Sequence, residues 1–168
     1  MSNLIIGNII ALIGSILMVC TGLIKKKDKI IFVQTIQIGL MIISNFVLGG
    51  ITGAITNIIS CIRNILCYKN KLNKIAKTLI IIASAVCAIL LSNTGLVSLL
   101  PLLCTIIYTL FMDIKDVIKF KWLIIFTMII WLIYDIYIKS YTSSIFDFMS
   151  VITNIFSIYK IKKETPTK

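Results

Sequence analysis

Histidine is absent from the 168 residues, only six carboxylates are present, and of two prolines only Pro101 lies inside an apolar run. Without histidine the chain lacks the commonest general base and the commonest metal ligand. The few carboxylates are not arranged for acid–base work. Nothing matches a phosphate-cradling glycine loop, a serine-hydrolase elbow or a zinc-protease helix. These absences argue against an enzyme and against a bound metal or cofactor. The five cysteines, Cys20, Cys61, Cys67, Cys87 and Cys104, fall within apolar runs without the paired short spacing of a metal site. They read as small packing residues.

What the chain has in excess is apolar side chain. Hydrophobic residues make up 59% of it and the mean hydropathy is +1.06, more than a globule of this size buries. A membrane span takes about 20 predominantly apolar residues to cross a core about 30 Å thick. Seven runs approach that length: residues 4–24, 30–48, 51–68, 76–91, 96–112, 122–138 and 141–159. Met1, Ser2 and Asn3 carry no positive side chain and no small-residue cleavage site is evident, so the first run is expected to be a retained span rather than a signal peptide.

Charge is strongly of one sign, 17 cationic against six anionic side chains for a net +11. The cations sit at alternate boundaries. Lys25, Lys26, Lys27 and Lys29 follow the first run, Lys69, Lys71, Lys74 and Lys77 the third, Lys115, Lys119 and Lys121 the fifth, and Lys160, Lys162, Lys163 and Lys168 the seventh. The opposite boundaries hold Lys139 alone. Positive charge marks the cytoplasmic side, so the N-terminus is expected outside and the C-terminus inside, with anionic lipid an added partner for the lysines. The lysines are dispersed and lack the aromatic interleaving of a nucleic-acid surface, so no nucleic-acid partner is expected.

A shift of 90 residues, without gaps, lays Asn64 on Asn154, Ser60 on Ser150, Lys25 on Lys115, Asn57 on Asp147 and Asn45 on Asp135. Polar matches inside apolar runs point to an internal duplication. Three spans, one linker span and three more bring the second triplet back to the side where the first began. The expected fold is therefore an all-α integral membrane protein of seven transmembrane helices, two parallel three-helix repeats joined by a linker helix. The units are residues 1–75, the linker 76–93, residues 94–160 and a cytoplasmic tail 161–168.

On the third run Gly53, Asn57, Ser60 and Asn64 share one helical face, and the seventh repeats it as Ser143, Asp147, Ser150 and Asn154. The two stripes are expected to face a common axis. Lining a solute path and gluing helices together by hydrogen bonds are both open as their role. Trp131 falls near the middle of its run, too deep for the interfacial belt, where packing or stacking on a solute would hold it. Charges within a span usually mark an interior or a pathway. At about 1.5 Å per residue, Asp147 lies roughly 9 Å from the outer end and Asp135 about 5 Å, near the interface. Arg63 is about a turn and a half from the inner lysines, placed either to reach lipid phosphate or to serve a site. Tyr108 belongs to a further face of the fifth run with Pro101, Thr105 and Met112.

Ile62-Arg63, Leu100-Pro101 with Thr105, Trp131 with Tyr134-Asp135, and Asn154-Ile155 before a basic tail occur in an order and spacing that resemble the YgjV family of bacterial inner membrane proteins. That family is similar in architecture to the SWEET sugar carriers and PnuC vitamin transporters. The resemblance implies a substrate site with asparagines on the third helix of each triplet and an aromatic on the second. Asn64 with Asn154, or Asn57 with Asp147, and Trp131 would play those parts, with Arg63, Pro101, Tyr108, Tyr134 and Asp135 at gating or coupling positions. Pro101 as the sole proline within the runs departs from proline-hinged carriers.

The expected function is transport of a small polar solute by alternating access between the repeats. Asp147 and Asp135 favour an amine, a sugar or a cation-coupled solute over a free anion. The alternative is a membrane adaptor or receptor that uses the same fold without transport. Homo-oligomerisation is compatible with either. For the topology, a reporter fused after Lys168 should be active only in its cytoplasmic form. Activity of a form that works only outside the cytoplasm would overturn the orientation and, with it, the parallel repeat.

Overall fold

A computed structural model describes residues 2–47, 51–91, 99–137 and 141–164, and all its regular elements are helices. They are α1 (Ser2–Thr21), α2 (Lys27–Val47), α3 (Ile51–Tyr68), α4 (Lys74–Leu91), α5 (Leu99–Phe111), α6 (Val117–Tyr137) and α7 (Tyr141–Glu164). Each expected run holds one helix. Stretches long and apolar enough to cross a membrane are Lys27–Val47, Val117–Tyr134 and Ser143–Glu164, with shorter apolar stretches at Ile5–Thr21 and Ala54–Tyr68. The lysine-poor boundaries at Gly49, Gly50, residues 92–95 and Lys139, and the tail beyond Glu164, lie outside the described residues.

Short polar side chains set the boundaries. Asp116 Oδ1 accepts from the Lys119 N–H at 2.8 Å and Asn73 Oδ1 from the Ala76 N–H at 2.8 Å, each capping the free donors of a first turn. At the end of α3, Asn70 adopts φ 55°, the Lys71 N–H reaches the Leu66 carbonyl at 2.8 Å, and the Asn70 N–H reaches Cys67 at 3.0 Å. That is a left-handed closing turn, which asparagine tolerates. In the 90-residue register Asn70 falls on Lys160, and there α7 runs on to Glu164.

Helix boundaries follow the same register: α1 and α5 end at 21 and 111, α2 and α6 span 27–47 and 117–137, and α3 and α7 begin at 51 and 141. Burial follows it too. Ile30 and Phe120, Ile31 and Lys121, Gln34 and Ile124, and Asn64 and Asn154 are buried in pairs, while Phe32 and Trp122, Ile43 and Ile133, and Ile62 and Ile152 are exposed in pairs. The exposed isoleucines and aromatics form an apolar outer surface of the kind that lipid covers.

The helices pack in chain order and α7 closes back on α1. Helix α2 packs against α1 and α3, α6 against α5 and α7, and α4 against α3 and α5. The hydrophobic core lies near the lysine-rich end, where Ile30 and Ile31 of α2 meet Tyr108 and Met112 with Phe120, Leu123, Ile124 and Met128 of α6. Lys77 ties α4 to the end of α5 by pairing with Asp113 at 2.9 Å and donating to the Leu110 carbonyl at 3.0 Å. The Lys77 ammonium holds the exposed Asp113 carboxyl below the usual carboxylate range.

At the α1–α7 contact Thr153 Oγ1 donates to the Val19 carbonyl at 3.2 Å. A Cβ on Gly22 would lie 2.7 Å from Thr153 Cβ and 3.0 Å from the Asn154 backbone nitrogen. Gly22→Ala is expected to lower stability by about 1–3 kcal/mol through overpacking, read as a lower unfolding midpoint in detergent micelles. Adding Thr153→Ala should restore part of the loss, because the Asn154 backbone remains in the way. An unchanged midpoint for Gly22→Ala would mean that the two helices do not approach this closely.

Candidate functional site

A helix places every third or fourth residue on one side, and on α3 this divides apolar from polar. Ile58, Ile62 and Ile65 are exposed, while Ser60, Arg63 and Asn64 are buried. Arg63 is 5% exposed and so points into the bundle. The lipid-anchor role that the sequence left open for it does not hold. Its Nε and Nη2 both donate to Asn64 Oδ1, at 3.2 and 3.1 Å, and its guanidinium carbon lies 4.7 Å from the centre of the Tyr108 ring on α5. This is a cation held over an aromatic face. Tyr108 donates its hydroxyl to Gln34 Oε1 on α2 at 2.7 Å and meets Phe120 edge-on at 5.9 Å. Four helices therefore contribute to this first polar centre.

Around Asn154, the register partner of Asn64, a different centre forms, with its cation from another position. Lys121, counted in the sequence among the cytoplasmic cations, is 0% exposed. Its Nζ donates to the Gly22 carbonyl at 2.8 Å and lies 3.5 Å from Asn154 Oδ1. Gly22 follows the last residue of α1, so the ammonium meets the partly negative end of that helix. Asn154 Nδ2 in turn donates to the Ser150 carbonyl at 2.8 Å. Lys121 was missed as an interior residue, although its register partner is Ile31. A lysine standing where the other copy has isoleucine was the available signal.

The stripe residues divide. Ser60, Asn64, Ser150 and Asn154 are buried, and Asn57 and Asp147 are half-buried. Asp147 lies within electrostatic reach of Cys104 on α5. However, α3 and α7 are not among the well-packed helix pairs, so each stripe turns to its own centre rather than lying directly against the other. Trp131 packs at the edge of the hydrophobic core and meets Tyr134 edge-on at 5.6 Å. Pro101 falls in the first turn of α5, where its missing N–H breaks no helical bond; its carbonyl accepts from Thr105 Oγ1 at 2.9 Å. The Asp135 side chain lies outside the described residues.

Several buried hydroxyls act as glue between helices or within one: Ser44 Oγ donates to the Gly7 carbonyl at 2.8 Å, and Thr109 Oγ1 to the Thr105 carbonyl at 2.6 Å. Three groups do not. Asn64 Nδ2, Ser150 Oγ and Ser157 Oγ are buried with no hydrogen-bond partner among the described residues. Leaving such a group unpaired costs about 1–3 kcal/mol.

The model of a family described as Imp-YgjV, bacterial inner membrane protein, matches residues 5–165. No curated protein and no solved structure matches the chain.

The Lys121 contact is open to a direct test. Lys121→Met keeps an apolar stem of similar length and removes the ammonium, leaving the Gly22 carbonyl unpaired. The expected loss is about 1–3 kcal/mol of stability, seen as a lower unfolding midpoint in micelles. A midpoint equal to that of the parent would leave Lys121 as a topology cation only.

Proposed function

The chain belongs to the YgjV family of bacterial inner membrane proteins, and on that premise we propose that it carries a small polar solute across the inner membrane. In this reading the seven helices all span the bilayer as two parallel triplets, α1–α3 and α5–α7, with α4 as the linker. The triplets rock about their α2–α5–α6 joint in a SWEET- or PnuC-like manner, and the N-terminus is outside. The recurrence of helix ends and burial at 90 residues supports the two-triplet plan. The reading rests on the unpaired buried polar atoms Asn64 Nδ2 and Ser150 Oγ. Interhelical glue satisfies its own donors, whereas a site that awaits a polar solute keeps some free.

The bonded hydroxyls at Ser44 and Thr153 and the packed Trp131 favour the second reading, a membrane adaptor without transport. Ser150→Ala separates the two. Removing a buried, unpaired hydroxyl should leave the fold intact and raise stability by about 1 kcal/mol. If Ser150 meets a solute, the same change should weaken the uptake or retention difference found by comparing metabolites in cells with and without the protein. A full metabolite difference in cells carrying Ser150→Ala would remove Ser150 from the site. The absence of any difference with the parent protein would favour the adaptor.

A further inference from the structure

Among the described residues, Arg63 is buried with no carboxylate paired to it. Charged side chains inside a span are costly, and those that persist are paired or serve a pathway. Among the described residues the ion pairs are Lys25 with Glu164 and Lys77 with Asp113, both involving carboxylates near helix ends, and neither includes Arg63. Lys121, the other buried cation, finds its acceptors within the protein, in the end of α1 and in Asn154. Arg63 has one acceptor atom, Asn64 Oδ1, which takes both Nε and Nη2. A guanidinium carries five N–H donors, more than the single Asn64 oxygen takes. The Asn64 amide that supplies this acceptor presents its own buried Nδ2 without any acceptor. The Tyr108 face stabilises the charge but offers no oxygen in line with the guanidinium fork, because its hydroxyl is turned to Gln34.

The same place therefore combines an uncompensated positive charge, a surplus of N–H donors and a shortage of acceptors. The complement is a group with a negative charge and at least two acceptor oxygens, which is the fork-on-fork match of arginine with a carboxylate or a phosphate. We propose that Arg63 and Asn64, backed by the Tyr108 ring, bind the oxyanion of a small solute. The inference builds on the transport reading and names the substrate class. It reverses the preference for an amine or sugar that Asp147 and Asp135 suggested, because Asp147 is not among the groups facing Arg63. Arg63 points inward while Ile62 and Ile65 take the outer surface, so the expected source of the oxyanion is a soluble molecule rather than a lipid headgroup.

Binding is tested apart from transport. The full chain is purified in a neutral detergent and in discs of phosphatidylcholine, and its unfolding midpoint is followed against inorganic phosphate and acetate, with chloride at matched ionic strength as reference. The expected result is a saturable rise with at least one oxyanion and none with chloride. Arg63→Gln should weaken the apparent affinity by at least about tenfold. Asn64→Asp puts a carboxylate beside the guanidinium, and it should abolish the response while keeping the fold, which covers the case in which Arg63→Gln does not fold. Discs containing phosphatidylglycerol form a second arm: stabilisation confined to them and lost in Asn64→Asp would identify the oxyanion as a lipid headgroup. No rise in either arm, or a rise undiminished in Asn64→Asp, would overturn the site. Saturable oxyanion binding without any solute difference in cells would leave the site standing and remove the transport reading.

Discussion

In hydrocarbon no water is available to satisfy a polar group, so every donor and acceptor of a membrane-embedded chain must find a partner inside the protein, at its ends or on a ligand. The rest of this structure follows from that constraint. Isoleucine, leucine and phenylalanine dominate the outer surface, several serine and threonine hydroxyls fold back on carbonyls, and Asn64 and Asn154 turn inward. The constraint also gives weight to the exceptions. Where Asn64, Ser150 and Ser157 hold polar atoms without partners, the fold tolerates a cost that packing alone does not explain.

The two halves are alike in frame and unlike in chemistry. An asparagine occupies the same register position in both, fully buried in each case. Beside Asn64 the cation is Arg63, the neighbour on the same helix; beside Asn154 it is Lys121, which reaches from α6. The register partners of these cations, Thr153 and Ile31, are uncharged. Each half thus has one buried cation next to its asparagine, supplied from a different position. One cation is absorbed by a helix end, whereas the other is left with an aromatic face and a single acceptor. Only the asymmetry between copies gives the molecule a place where charge remains unmatched.

Much of the frame was legible because it depends on local physics. Apolar run length marked seven helices, and Asn57, Ser60 and Asn64 shared a face because 3.6 residues make a turn. The 90-residue register carried helix ends and burial with it, from the paired α2 and α6 bounds to the exposed Ile62 and Ile152. Arg63 stands out in the sequence as a charge within an apolar run, and Tyr108 as one member of a face on the fifth run. That one lies over the ring of the other is not legible there, since the contact joins residues of α3 and α5 across the bundle.

The sequence by itself determined the solvent of this protein and the faces of its helices, because hydrophobicity and helical period are properties of neighbouring residues. Only the tertiary structure decided what the polar residues do. Lys121 reads as one of many cytoplasmic lysines until α1 ends against it, Trp131 reads equally as a packing or a stacking residue until it is seen at the edge of the core, and the two polar stripes read as facing a common axis until they turn to separate partners. Each outcome depends on which helix ends and faces come together, and those pairings are set by packing over many tens of residues rather than by any local pattern.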